Sequence, residues 1–271
     1  LLLLALVVVG GKGAAEPGQG PKPDKPPPKK DSVPRPRPVP PPPRGAIKAS
    51  LGRGVAFLLK DQNKDGSWGT PQRTKGLNIY APVPSAHHSF RSAVTSLCVA
   101  ALIETGGDSA EVRQAVERGE AWLLKNLPRL TRDSADALYN IWAHCYSLQA
   151  LVRMHGRLPG DSGRRKKIEA QIRQQFDFLK RFESVDGGWG YYDFRVGAKR
   201  PATDATSFMT AAILVAAYEA KGIGIEPPAR MVKRAIDSIH RQRKPDFTYL
   251  YGEYMKWRPM HPINRPGGSL G

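Results

Sequence analysis

Two stretches of this chain have nearly the same sequence, and this repetition limits the possible folds more than any other feature. The first is "FLLKDQNKDGSWG", residues 57–69, and the second is "FLKRFESVDGGWG", residues 178–190. In each, an apolar helical pattern ends in a polar turn that closes on a Trp-Gly pair. A unit that occurs twice in one chain predicts a fold in which similar units stack on one another.

Two weaker copies complete the series, with anchor positions at Phe57, Trp122, Phe178 and Ser238 that are 65, 56 and 60 residues apart. Each of the first three copies is followed by a second, more apolar helix, predicted at residues 93–105, 135–155 and 206–221. Helix pairs of this kind stack because no pair buries its own apolar faces. The predicted fold class is all-α, and the predicted fold is an α/α toroid, or barrel. The apolar second helices form its inner ring and the more charged first helices its outer ring.

The chain divides into three segments by composition. Residues 1–15 are an apolar run followed by small residues, too short for the ~20 residues of a spanning helix, and they predict a signal peptide or a membrane anchor. Residues 16–45 are rich in proline and basic residues and predict an extended linker. Residues 46–271 carry the repeats. We therefore expect an exported protein, periplasmic or associated with the cell envelope.

Charge and cysteine content restrict the partners and the source of stability. The formal net charge is +18, which favours an anionic membrane or envelope surface as partner. No nucleic-acid-binding motif occurs, so no nucleic-acid partner is expected. The two cysteines, Cys98 and Cys145, stand inside apolar helical patterns. We predict that both are buried, and that the core rather than disulfides stabilises the fold.

The first copy contains a motif of fixed spacing: Arg53-Gly54, Phe57-Leu58, Gln62, Gly66 and Trp68. With it, the chain resembles the squalene-cyclase and prenyltransferase repeat family, in which this pattern is the QW motif. The third copy keeps Gly187 and Trp189, whereas Glu183 replaces the glutamine. The resemblance covers residues 46–271 and implies a toroid of helix pairs. A closed toroid of that family holds more pairs than this sequence, so we expect the toroid to be incomplete at its C-terminal end.

We interpret the motif as structural rather than catalytic. Gly66 and Gly187 permit the positive φ of a tight turn after the outer helix. Trp68 and Trp189 offer a flat apolar ring on which a side-chain amide such as that of Gln62 can pack. The repeated stretch is therefore predicted to join neighbouring helix pairs.

The resemblance also implies a place for catalysis. Squalene-hopene-type cyclases carry an Asp-x-Asp-Asp-Thr motif before an inner helix, and "PATDATSFMTAAIL" places Asp204 on its proton-donating position and Thr206 on its threonine. Ala202 and Ala205 replace the other two aspartates. Protonation of an alkene needs a strong acid supported by neighbouring carboxyl groups, and these are missing here. Asp204 is therefore either a helix N-cap or the proton donor of a diverged class II terpene cyclase, and the alanines favour the cap.

Other catalytic and metal sites receive less support. The resemblance to protein prenyltransferases directs attention to a zinc site, but Cys98, Cys145 and His144 do not reproduce its ligand context, and His87-His88 is interpreted as a surface pair. Asp136 and Asp204 both precede inner helices, as a glycosidase carboxylate pair would, but both are interpreted as caps. We assign no metal and no cofactor.

Aromatic residues on the inner helices indicate the ligand class: Tyr139, Trp142, Tyr146, Phe208 and Tyr218. In the family that the chain resembles, such rings hold isoprenoid tails or stabilise carbocations; alternatively they fill the core. We expect a protein that binds an apolar, isoprenoid-like ligand or an envelope partner. The alternatives are a terpene cyclase that uses Asp204 and a purely structural scaffold.

Overall fold

The structure is a computed structural model that describes residues 39–70, 84–132, 138–157, 159–193, 201, 205–258 and 260–264. These residues contain seven α-helices and no β-sheet. The helices are α1 (Arg44–Asp61), α2 (Pro84–Thr105), α3 (Ala110–Asn126), α4 (Asn140–Arg157), α5 (Ser162–Phe182), α6 (Ser207–Gly222) and α7 (Ala229–Gln242). The all-α prediction is confirmed.

The helices alternate between two rows. The inner helices α2, α4 and α6 pack side by side, with α4 in the middle. Each of them is covered by the helix that follows it, so that α3 packs on α2, α5 on α4 and α7 on α6. The starts of these helices contact one another, and so do their ends, in the pairs Phe90–Tyr139, Trp142–Phe208, Arg153–Glu104 and Arg153–Glu219. The three inner helices therefore run in the same direction. Their N-terminal ends, together with the turns that precede α2 and α6, lie at one end of the bundle.

The core lies between the two rows and is built from both. Its fully buried apolar residues include Leu102, Ile141, Leu148, Leu151, Ile172, Leu179 and Ile213. Cys98 and Cys145 are also buried there as free thiols, as predicted. Burial raises the pKa of the Cys98 thiol to about 12 and moves the pKa of the Cys145 thiol further above its ordinary value. Both thiols are therefore protonated at neutral pH and behave as small apolar side chains.

Several boundaries differ from those predicted. α1 begins at Arg44, inside the predicted linker, because Pro43 is well suited to the position before a first helical turn. α2 begins at Pro84, well before residue 93. α4 begins at Asn140, so Leu138 and Tyr139 precede it, and residues 133–137 lie outside the described part of the chain. Residues 1–38 also lie outside it. No helix of the described part is long and apolar enough to cross a membrane.

A buried ion cluster links three elements on the outer side. Glu120 of α3 is 5% exposed, and both of its carboxylate oxygens accept hydrogen bonds at 3.0 Å from Arg157 at the end of α4. Arg164 of α5 donates to the same carboxylate at 2.8 Å. Both arginines are themselves mostly buried. The cluster therefore joins the pair α3 and α4 to helix α5 of the next pair.

Candidate functional site

The turn after α1 is held by side chains on both sides of it. Gln62 Nε2 donates to the carbonyl of Gly66 at 2.9 Å and to the carbonyl of Ala115, on α3, at 2.8 Å. Trp68 Nε1 donates to the carbonyl of Leu58 at 2.8 Å, and the Trp68 backbone N–H donates to Thr95 Oγ1 at 3.0 Å. The turn therefore contacts its own helix, the next inner helix and the next outer helix.

The turn after α5 repeats these contacts. Trp189 Nε1 donates to the carbonyl of Leu179 at 2.9 Å, and the Trp189 backbone N–H donates to Thr210 Oγ1 at 3.1 Å. Glu183, which replaces the glutamine, pairs with Arg234 of α7 at 2.6 Å. In the first turn, Arg118 of α3 donates to Gln62 Oε1 in the same way. The change from Gln to Glu thus converts a hydrogen bond into an ion pair, and the turn still contacts an arginine of the next outer helix.

Glycine is required in both turns for two reasons. Gly66 has a φ of 90° and Gly187 a φ of 94°, a region that other residues rarely adopt. In addition, a Cβ atom on Gly66 would lie 2.5 Å from the carbonyl oxygen of Arg118, and one on Gly187 would lie 2.5 Å from that of Arg234. The next outer helix therefore sits directly on each glycine.

A further turn of the same geometry follows α7, although the glycine and the tryptophan of the first turn are absent from it. Thr248 donates its backbone N–H and its hydroxyl to Asp246 Oδ1, as Ser67 does to Asp65 Oδ1. Phe247 occupies the glycine position with a φ of 67°. The shared Asp-x-Ser/Thr pattern is the signal that would have revealed this turn.

An aromatic cluster occupies the N-terminal end of the inner row. The Trp142 ring stacks on Tyr146 and on Phe208, with centroids 5.7 and 6.0 Å apart. Tyr191 lies 6.1 Å from both Trp142 and Phe208, and Tyr251 lies 5.1 Å from Phe208. We define the aromatic cluster as Phe90, Tyr139, Trp142, Tyr146, Tyr191, Tyr192, Phe208 and Tyr251. All of these except the buried Tyr139 are partly exposed.

Four of the five aromatic residues expected from the sequence lie in this cluster: Tyr139, Trp142, Tyr146 and Phe208. Tyr218 does not; it is 79% exposed, and its ring contacts no other ring of the described residues. Sequence reasoning missed Phe90, Tyr191, Tyr192 and Tyr251. Tyr191 and Tyr251 follow Trp189 and Tyr249 by the same two positions, so the register of the turns contained a signal for them.

The tyrosine hydroxyl groups bond to one another within the cluster. The Tyr139 hydroxyl donates to that of Tyr192 at 2.9 Å, and the hydroxyls of Tyr191 and Tyr251 share a hydrogen bond. Burial, together with the bond to Tyr251, raises the pKa of Tyr191, and burial raises that of Tyr146. These phenols therefore stay neutral and leave a surface without charge.

The cluster continues along the inner row as an apolar face. Phe90 contacts Tyr139 with ring centroids 5.3 Å apart at one end of the row. At the other end, Arg153 of α4 pairs with Glu104 of α2 and, at 2.8 Å, with Glu219 of α6. These contacts hold the three helices in register, so the exposed side chains of the central turns share one side. We define the apolar face as Phe90, Val94, Leu97, Trp142, Tyr146, Phe208 and Val215.

The proposed acids lie outside the described residues. Asp136 lies in the range 133–137 and Asp204 in the range 202–204, and the structure does not describe these two ranges. α6 begins at Ser207 with Thr206 at its N-cap position. The cap position therefore falls on Thr206 and not, as expected, on Asp204.

His144 is part of the core. Its Nδ1 lies 2.7 Å from Gln175 Oε1, and its ring stacks on Phe178 with centroids 4.8 Å apart. Burial lowers the pKa of His144 to about 4. His88 is exposed, and the His87 side chain is outside the described part. Among the described residues, no group of three or more His, Cys, Asp or Glu side chains could hold a metal ion.

The chain matches no protein-family model, no curated protein and no solved structure. Its function is therefore inferred from the geometry of the turns and of the apolar face.

Proposed function

We propose that this protein is an α/α-toroid repeat protein of the squalene-cyclase and prenyltransferase type, and that it binds an apolar, isoprenoid-like ligand on the apolar face. The observation that carries the proposal is the partly exposed aromatic cluster around Trp142. Rings that only filled a core would be buried, whereas Trp142, Tyr146 and Phe208 each keep part of their surface exposed. Exposed apolar surface of this kind is a common sign of a binding site.

The repeated turns support the toroid. In the turns after α1 and α5, the same glycine position contacts the next outer helix, and the same tryptophan position bonds to the preceding helix. Helix pairs joined by one geometry are rotated by similar amounts, so a stack of them curves. Curvature around the inner row would place the apolar face on the concave side.

The chemistry of the face favours a long apolar ligand over a sugar or a charged metabolite. Flat rings and branched aliphatic side chains offer contact area without charge, and each 100 Å² of apolar surface removed from water contributes about 2.5 kcal/mol. At the far end of the face, Arg153 lies between Glu104 and Glu219. This end would limit how far an apolar chain extends.

We propose binding rather than catalysis because Ala202 and Ala205 stand where a cyclase would carry two further carboxylates. The proposal includes export and an anionic envelope partner, on the basis of residues 1–15, the proline-rich linker and the net charge of +18. The test therefore needs readouts for both retention and conversion of a lipid.

In the test, the full chain is incubated with squalene and, separately, with farnesyl diphosphate, re-isolated and extracted for mass spectrometry. The double variant Trp142→Ala, Tyr146→Ala should retain at least ten-fold less lipid. The matched control is Phe57→Ala on α1, which removes an aromatic ring that is 62% exposed in the outer row. This control should retain as much lipid as the unaltered chain.

Two outcomes would overturn the proposal. A cyclised or transferred product that disappears in Asp204→Asn would make the protein an enzyme with Asp204 as its acid. No retained lipid, or equal retention in both aromatic variants, would leave a structural scaffold.

A further inference from the structure

A cleft of about 470 Å³ lies between the first turn, the start of α2 and the exposed side of α3. Four of its lining side chains are cationic: Lys64, Arg91, Arg118 and Lys125. It contains no residue of the apolar face, so it is a separate site from the one proposed above.

The single carboxylate of this cleft is already engaged. Asp65 accepts from Arg91 at 2.8 Å and from the indole Nε1 of Trp122 at 3.2 Å. Burial raises the pKa of Asp65, but hydrogen bonds from Ser67 and Arg91 outweigh this effect and lower it to about 2. Four cationic side chains against one ionised carboxylate give these groups a net charge of +3.

Among the described residues, no carboxylate pairs with the other three cations. Arg118 donates to the neutral Gln62, and Lys64 and Lys125 form no ion pair within the described part of the chain. Their positive charges are therefore available to an anion from outside the cleft.

The cleft between α2 and α3 has a counterpart between α6 and α7, and a carboxylate of this chain occupies that counterpart. There Arg241 and Ser238 stand at the repeat positions of Lys125 and Trp122. Glu253, which is 4% exposed, pairs with Arg241 and accepts from the Ser238 hydroxyl at 3.4 Å. Its backbone N–H donates at 2.9 Å to Ala205, at the start of α6. The short 3-10 helix Glu253–Met255 thus places a glutamate between a turn and an outer helix.

We propose that the first cleft binds an acidic peptide segment of a partner protein, whose carboxylates pair with Lys64, Arg118 and Lys125. The Glu253 segment shows this mode of binding within the chain itself. Charge-assisted hydrogen bonds to lysine and arginine supply the attraction. The buried Trp122 ring lies beneath Arg91, 5.4 Å from its guanidinium, and holds this cation at the wall of the cleft. A recessed cleft suits a peptide better than it suits the flat surface of a membrane.

The test uses the full chain and fluorescein-labelled hexaglutamate, with fluorescence anisotropy as the readout and hexaglutamine as the neutral probe. The double variant Lys64→Glu, Lys125→Glu should bind hexaglutamate at least ten-fold more weakly. The matched control is Lys48→Glu, Lys166→Glu, which changes the net charge equally at two exposed lysines outside the cleft. It should bind within two-fold of the unaltered chain, and circular dichroism verifies that both variants fold.

Three results would overturn the proposal. Equal losses in the two double variants would mean that net charge alone attracts the peptide. Equal binding of hexaglutamine would exclude recognition of carboxylates. Binding of inorganic polyphosphate or of phosphatidylglycerol vesicles that depends on Lys64 and Lys125, without binding of hexaglutamate, would assign the cleft to phosphate groups instead.

Discussion

His144 shows how a polar residue can belong to the core of this fold. It is buried between α4 and α5, where Gln175 satisfies one ring nitrogen and Phe178 stacks on the ring. Burial, reinforced by the positive charge of Arg181, disfavours the imidazolium and lowers the pKa of His144 from 6.5 to about 4. The folded protein therefore keeps this ring neutral at pH values at which the unfolded chain takes up a proton.

This property predicts a dependence of stability on pH. The contribution of neutral His144 is complete above pH 6.5 and is lost as the pH falls to about 4. Over that range the free energy of unfolding should fall by about 3 kcal/mol from this residue alone. Urea unfolding at pH 7, 5.5 and 4.5 measures the change.

The variant His144→Gln provides the comparison, because it cannot titrate. Its unfolding free energy should depend less steeply on pH than that of the unaltered chain. Parallel slopes for the chain and for His144→Gln would show that other groups cause the acid sensitivity.

At the scale of elements, the turns make the closest contacts between helix pairs. Gly187, in the turn after α5, meets two demands, a positive φ and the approach of a carbonyl from α7. Gly224 meets only the first, since it has a φ of 82° and a Cβ atom added to it would have no other atom within 4 Å. The two positions therefore allow conformational strain and steric contact to be measured separately.

We expect Gly224→Ala to lower the free energy of unfolding by about 1 kcal/mol, the usual cost of a positive φ for alanine. Gly187→Ala should cost about 3 kcal/mol, because its Cβ would also displace the backbone of α7. Denaturant titration of both variants gives the difference. Equal losses of unfolding free energy in the two variants would mean that α7 moves away freely. The close contact between Gly187 and α7 would then not contribute to stability.

Sequence patterns predicted which helices are present better than they predicted where those helices begin and end. The helical periodicity and the doubled turn sufficed for an all-α fold of alternating helices. The first residues of α2 escaped prediction because "PSAHHSFRS" is mostly polar, although Ser89 and Ser92 are buried against neighbouring elements. The turn after α7 escaped prediction because Phe247 replaces its glycine, and only the Asp246–Thr248 hydrogen bonds preserve the pattern.

The sequence predicted the residues of the aromatic cluster that lie on helices but not those that lie between helices. Trp142 and Phe208 lie on helices and could be placed by their spacing. Tyr191 and Tyr251 lie on the segments that follow the turns, and these segments cross the ends of the inner helices through backbone bonds from Leu138 and Ser207. The path of these segments is determined by tertiary contacts, and no periodic pattern of residues in the sequence indicates it.

For the whole molecule, the cluster of Glu120, Arg157 and Arg164 is the clearest electrostatic link between pairs of helices. Replacement of Glu120 by glutamine would leave two mostly buried arginines without their carboxylate. We expect Glu120→Gln to lower the free energy of unfolding by about 3 kcal/mol, measured by urea titration. Glu117→Gln, on the exposed side of the same helix, should change it by less than about 0.5 kcal/mol. Similar small effects from both variants would contradict a stabilising role of the cluster.

Phe247 has a consequence for how units can be added to this molecule. An outer helix seated on the turn after α7, as α3 and α7 are seated on theirs, would bring a carbonyl oxygen to about 2.5 Å from the Cβ atom of this phenylalanine. The Phe247 ring is 71% exposed and lies under the guanidinium of Arg243 at 4.5 Å. Whether it comes from the same chain or from another molecule, a helix can pack there only in a different register. Phe247 thus limits how a further helix can pack on this turn, as a charged residue or a proline limits pairing along the edge strand of a β-sheet.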